Sequence, residues 1–261
     1  MKIYDDFDDA APEVAESFSR YARGYDKHAR LQKMMAERLA SFLPDELPPR
    51  TLEIGCGTGL FTRHLLARPI HKLILNDIAP EMIQCLKDKQ TIPRRCRVLL
   101  GNAESLDFGP VDLIAANAVF QWFKTPKKAL EHLAALLEPG GRIIFSTFGP
   151  ATLEEFRRTA DLSSPANLLS FERWKRLIRG TGLTLDSSAS ELRKSFFPDA
   201  LALLKNLQQI GAAPYRMVRP GSLRQLIRRY DEEFSTAQGV YATWELYYFS
   251  AIHKPSRKKT R

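Results

Sequence analysis

Apolar positions recur at helical spacing between residues 13 and 42: Val14, Phe18, Tyr21 and Tyr25, then Leu31, Met34, Met35, Leu39 and Phe42. Gly24 interrupts the run, so it predicts two helices joined by a bend, with residues 1–12 loosely ordered ahead of them. Pro44, Pro48 and Pro49 then punctuate a loop, and the pattern changes. Short apolar runs at 52–54, 72–76, 97–101, 111–116 and 142–147 predict strands, and helical segments lie between them to about residue 67, from 80 and over 126–137. Pro139-Gly140-Gly141 ends the last of these helices. Further on, 152–159, 171–179, 198–210 and 221–234 read as helices, while 183–196 and the aromatic run 243–252 read as strands. Alternation of this kind predicts an α/β, Rossmann-like, doubly wound and mostly parallel seven-stranded sheet. The expected layout is an N-terminal helical cap at 1–50, a core at 51–196 and 241–253, a helical insertion or lid at 197–240, and a basic tail at 254–261.

The first strand runs into Thr51-Leu52-Glu53-Ile54-Gly55-Cys56-Gly57-Thr58-Gly59. Three alternating glycines permit positive φ and close approach of a ligand to the backbone, and a helix start behind them offers unpaired N–H groups. The spacing is neither that of a dinucleotide site nor that of a P-loop. Glu53 beside the turn repels pyrophosphate and suits a cationic or amine-bearing ligand. Asp77 ends the second strand, at the offset where an acid accepts from ribose hydroxyls; it also suits a helix N-cap ahead of Pro80. Asn102 and Ala103 end the third strand, where Asn in a turn is the alternative reading. Asn117, Gln121 and Trp122 follow the fourth, and Trp122 equally suits a core position.

Composition narrows the partners. The formal charge is +9, but five of the eight residues from Lys254 onward are Lys or Arg, leaving +4 for the body. That is weak ground for nucleic-acid binding. No apolar run reaches the roughly 18 residues that cross a bilayer, and the acidic N-terminus lacks a signal-peptide layout. Cys56, Cys85 and Cys96 form no C-x-x-C pair and read as reduced thiols in a cytoplasmic protein. The five histidines show no metal spacing, so no metal is assigned.

The glycine stretch resembles the E-x-G-x-G-x-G signature of the class I S-adenosylmethionine-dependent methyltransferases. Phe18-Ser19-Arg20, Tyr25-Asp26, Gln32, Asn117, Gln121-Trp122 and Phe145-Ser146-Thr147-Phe148-Gly149-Pro150 narrow the likeness. So do Phe197-Pro198, Leu203-Leu204-Lys205, Ile210-Gly211-Ala212 and Ala242-Thr243-Trp244-Glu245-Leu246. Over residues 13–252 the chain is similar to the malonyl-[acyl-carrier protein] O-methyltransferases of biotin synthesis. The resemblance implies S-adenosylmethionine held by Glu53, Gly55, Gly57, Gly59, Asp77, Ile78, Asn102, Ala103 and Asn117. Asn102 stands where this family usually has an acid, which weakens its bond to the adenine amine.

A malonyl carboxylate is already ionised at neutral pH, so the implied reaction needs orientation rather than a general base. Gln121, Trp122 and Tyr25 are the expected orienting residues, with Gln32 closing over the cofactor and Phe18 and Tyr21 stapling their helix to the core. Arg157, Arg158, Arg173 with Trp174, and Arg176 are candidates for the substrate carboxylate, against the alternative of a solvated helix face. Lys205, Arg216, Arg219, Arg224, Arg228 and Arg229 are candidates for docking the acidic carrier. Expected partners are malonyl-loaded acyl-carrier protein and, as a substitute, malonyl-CoA. Nucleic acid and membrane are not expected, and the chain is read as a monomer. Two other readings are a methyltransferase of a free polycarboxylate or other small molecule, and a cofactor- or RNA-binding regulator that uses the basic tail.

Overall fold

A computed structural model of the chain describes residues 10–212 and 220–254. The basic tail beyond Lys254, Arg216, Arg219 and the first nine residues therefore lie outside the described residues. The cap comprises α1 (Ala10–Tyr21), a 3₁₀ turn (Ala22–Gly24), α2 (Tyr25–His28) and α3 (Arg30–Ala40). Helix α1 thus begins three residues before the expected ordered segment. A second break falls at Ala29, which the apolar spacing did not reveal, where φ −84° and ψ 41° leave the helical region. Ala29 is fully buried, and the break turns α3 onto the sheet.

Then follow β1 (Arg50–Ile54), α4 (Thr62–Leu66), β2 (Lys72–Asp77), α5 (Pro80–Lys89), β3 (Cys96–Leu100), β4 (Val111–Asn117) and a 3₁₀ turn (Phe120–Trp122). The chain continues through α6 (Pro126–Ala135), β5 (Leu137–Phe148), α7 (Glu154–Ala160), α8 (Phe171–Gly180) and β6 (Leu183–Phe197). It closes with α9 (Ala200–Gln209), α10 (Pro220–Phe234), β7 (Ser235–Thr236) and β8 (Gly239–His253). Pro80 and Pro126 stand at the first helical turn, where a missing N–H costs nothing.

The sheet order is β3-β2-β1-β4-β5-β8-β6. Strands β1 to β5 pair in parallel, whereas β8 runs antiparallel to both β5 and β6. The short β7 pairs with β8 in a hairpin, which makes eight strands where the apolar pattern predicted seven. Two residues are too few to leave a periodicity. Leu73–Leu75, Leu113–Ala116, Ile143–Phe145 and Tyr247–Phe249 are buried without alternation, because helices cover both faces. One core lies under α3, α4, α9 and α10; the other lies under α6 and α8. Strand order reverses at β1, which pairs with β2 on one side and β4 on the other, so a crevice opens beyond their C-terminal ends.

Candidate active site

A cavity of 260 Å³ occupies that crevice. Four strand ends reach it in turn: Ile54 and Gly55 at the end of β1, Asp77 and Ile78 at the end of β2, Asn102 and Ala103 after β3, Asn117 and Ala118 at the end of β4. Gly55 and Gly57 have φ of +64° and +53°, and a Cβ on Gly55 would collide with Cγ2 of Val119. Only glycine gives both that backbone and that approach. Gly59 serves otherwise. A Cβ there would collide with Gln90 and Leu86 of the α5 segment, so this glycine packs the turn against a helix and does not line the cavity.

Asp77 braces the turn. Its Oδ2 accepts from the Gly57 N–H at 2.7 Å and its Oδ1 from the Ala79 N–H at 2.8 Å. Burial raises its pKa, and the Ala79 and Gly57 N–H groups oppose the rise. Its side chain makes no cap bond to α5, whose N-cap is Ala79. Glu53 was expected beside the ligand; it is instead 1% exposed and stands off the cavity wall. Burial pushes its carboxyl up to about 8, the Asp77 charge adding to the rise and the Thr62 hydroxyl opposing it. The Asn102 Oδ1 accepts from the Glu104 N–H at 2.9 Å, the local turn that was weighed for it.

Three aromatic side chains line the other wall. Phe18 packs edge-on against Trp122 with centroids 5.2 Å apart and against Tyr25 at 6.2 Å. Phe18 was expected to be a core staple, and Trp122 an orienting residue with a core position as the alternative; both reach the cavity, Phe18 because α1 lies across α5. Burial, and then Asp77 and Asp26, raise the Tyr25 pKa, so its phenol stays protonated. Asp26 accepts from the Thr58 hydroxyl and, at 2.6 Å, from Lys89, which ties the cap to the glycine turn.

Several expectations need correction. Gln121 does not line the cavity: its Nε2 donates to the Ala118 carbonyl at 2.6 Å and its Oε1 accepts from Thr147 Oγ1 at 3.2 Å. Gln32 likewise stands off the wall; its backbone carbonyl accepts from Asn117 Nδ2 at 3.0 Å. Trp174 is fully buried among Phe120, Phe145 and Phe249 and does not line the cavity, because α8 turns that face to the sheet. Arg173 and Arg176 are exposed on the opposite side of α8. Arg157 donates to the carbonyls of Pro150 and Thr152, bracing the loop after β5. Arg158 pairs with Glu233 at 2.5 Å and lies over Phe234, joining α7 to α10. None of these arginines is among the described lining residues.

Replacing Trp174 by Phe is therefore expected to cost about 1 kcal/mol of stability, since lost volume is partly offset by removing an indole N–H that has no partner. The KM values should not move; steady-state kinetics beside denaturant unfolding separate the two effects. Met82 and Lys124 also line the cavity and were missed, since each lies a turn or more from a strand end with no motif to mark it; Glu104, next to Asn102 and Ala103, lines it too and had been given no role.

The lining fits S-adenosylmethionine. Ile78, Met82 and Phe123 offer apolar surface for an adenine, and Asp77 retains acceptor capacity for a ribose. The acidic surroundings suit a sulfonium and an ammonium and would repel a pyrophosphate.

Residues 25–211 match a family model described as a methyltransferase domain. A malonyl-[acyl-carrier protein] O-methyltransferase from Methylococcus capsulatus is 34% identical over 239 residues, covering 87% of this chain and 86% of that protein. A second, from Ilyobacter polytropus, is 33% identical over 76% of this chain and 80% of its own length. A solved S-adenosylmethionine-dependent methyltransferase from Thermotoga maritima shares the fold at a TM-score of 0.55 and 17% identity, over 92% of this chain and 100% of that one. The chain belongs to the S-adenosylmethionine-dependent methyltransferases and, within them, to the malonyl-[acyl-carrier protein] O-methyltransferase family.

Proposed function

We propose that this chain methylates the free carboxylate of a malonyl thioester carried on acyl-carrier protein, the step that starts a pimeloyl chain for biotin. The observation that carries the reading is the cavity itself: a glycine turn and an acid-braced strand end on one side, and the Phe18–Tyr25–Trp122 wall on the other. Bound there, S-adenosylmethionine supplies an electrophilic methyl group. Gly55 and Gly57 would admit the cofactor to the backbone, Asp77 would accept from its ribose, and Ile78 and Ala103 would offer surface to its adenine. The aromatic wall excludes water and orients the acceptor, so the rate comes from proximity and alignment. The acceptor carboxylate is already a nucleophile and needs no base.

Carrier docking is assigned to α9 and α10, whose Lys205, Arg224, Arg228 and Arg229 are exposed. Arg228 is engaged with Glu232 at 2.7 Å, so Lys205, Arg224 and Arg229 carry most of the steering charge. The enzyme acts as a cytoplasmic monomer in this reading. Among the described residues no helix is long and apolar enough to cross a membrane.

The test is transfer of labelled methyl from S-adenosylmethionine to malonyl-carrier, malonyl-CoA and a free polycarboxylate. Base-labile label on the malonyl carrier, with little on the free acid, is expected; label on none of the three would refute the substrate. Reversing Arg224 and Arg229 to Glu should raise the KM for malonyl-carrier about tenfold and leave that for malonyl-CoA unchanged. Equal effects on both acceptors would rule out docking at α10.

A further inference from the structure

Ala118 has a φ of 56°, a left-handed backbone that a residue with a Cβ rarely adopts, and it lines the cavity. Three hydrogen bonds hold it there. Its N–H lies 3.0 Å from Ser146 Oγ and 3.1 Å from the Ser146 carbonyl, and its own carbonyl accepts from Gln121 Nε2 at 2.6 Å. The Ser146 hydroxyl, fully buried, spends its proton on Asn117 Oδ1 at 2.8 Å. Asn117 in turn donates to the Gln32 carbonyl of the cap. The turn has consequences on both sides of Ala118. Val119 is pressed against Gly55, and the 3₁₀ turn that follows carries Trp122 to the cavity.

We propose that Ser146 is a positioning residue for methyl transfer, acting through Ala118. Its hydroxyl stabilises the left-handed turn that sets Val119 on the glycine loop and Trp122 on the acceptor wall. The inference rests on reading the cavity as the cofactor site. Ser146 touches neither cofactor nor acceptor space, since it is absent from the described lining. Glycine at 118 would hold the same backbone without assistance. The loss of the hydroxyl should therefore be repaired by a change one hydrogen bond nearer the site.

The experiment is a double-mutant cycle with Ser146→Ala and Ala118→Gly, read by calorimetric binding of S-adenosylhomocysteine and by methyl transfer at saturating acceptor. Ser146→Ala is expected to weaken S-adenosylhomocysteine binding about tenfold and to lower kcat by a similar factor. The double variant should recover to within about threefold of Ala118→Gly alone, a strongly non-additive result. If Ser146 served only general stability, the two losses would add and no recovery would appear; that outcome overturns the proposal. Should Ser146→Ala fail to fold, the cycle of Ser146→Cys with Ala118→Gly puts the same question with a near-isosteric side chain that is a poor hydrogen-bond partner, and recovery or its absence decides in the same way. Wild-type protein that does not bind S-adenosylhomocysteine would overturn the cofactor reading and this proposal together. Binding by the wild type without recovery in the cycle overturns the proposal alone.

Discussion

Asp77→Asn is expected to weaken S-adenosylhomocysteine binding about 100-fold while the chain remains folded. Both carboxylate oxygens are committed on one side, Oδ2 to Gly57 N–H at 2.7 Å and Oδ1 to Ala79 N–H at 2.8 Å. Asparagine keeps one acceptor and turns an amide N–H₂ toward the other donor, so either the glycine turn or the start of α5 loses its brace. Each oxygen keeps a second lone pair, and Asp77 lines the cavity, where a ribose diol would need acceptors. Charge-assisted bonds of this kind contribute about 1.5–3 kcal/mol each, and about 2.7 kcal/mol corresponds to the expected factor. Calorimetric titration measures it, with a melting curve to confirm folding. Affinity within threefold of wild type would remove Asp77 from the site.

The parts of this site legible in the sequence are those whose chemistry is local. Gly55 and Gly57 announce a turn because residues with a Cβ rarely adopt their backbone, and Asp77 ends a strand that is marked by its own apolar run. What failed were judgements that depend on which way a side chain points. Gln121 and Trp122 are neighbours in one 3₁₀ turn, yet Trp122 lines the cavity and Gln121 holds a backbone carbonyl. Arg173 and Trp174 are likewise adjacent on α8, one exposed and one in the core. Adjacent residues on a helix lie about 100° apart, so a candidate pair cannot share a target unless its face is known. Phe18 erred the other way. Its spacing marked an apolar face of α1, and only tertiary packing decides that this face borders a cavity. Ser146 stood within a segment used to identify the family, but the left-handed Ala118 that gives it work lies 28 positions earlier. No periodicity records a hydrogen bond across two strands.

Glu53→Gln should make the free enzyme more stable above neutral pH, and by more as the pH rises. Glu53 is 1% exposed, its Oε2 has no hydrogen-bond partner, and burial pushes its carboxyl up to about 8. In the unfolded chain the same carboxyl titrates near 4. Between those two values the folded chain holds a proton that the unfolded chain has released, so stability falls as pH rises. The contribution is fully present below the unfolded value and is lost as pH climbs through about 8. Glutamine carries no such charge to bury. The gap in unfolding free energy between variant and wild type should therefore widen from pH 5 to pH 9, reaching on the order of 3 kcal/mol in favour of the variant. Denaturant unfolding at several pH values measures it. The slope, not the size of the gap, is diagnostic. A constant offset across that range would mean that Glu53 is ionised throughout and paired with a cation. A widening gap would mean that the carboxyl at the foot of the glycine turn is neutral at physiological pH, so that the acidic character around the cavity rests on Asp77 and Glu104, which line it.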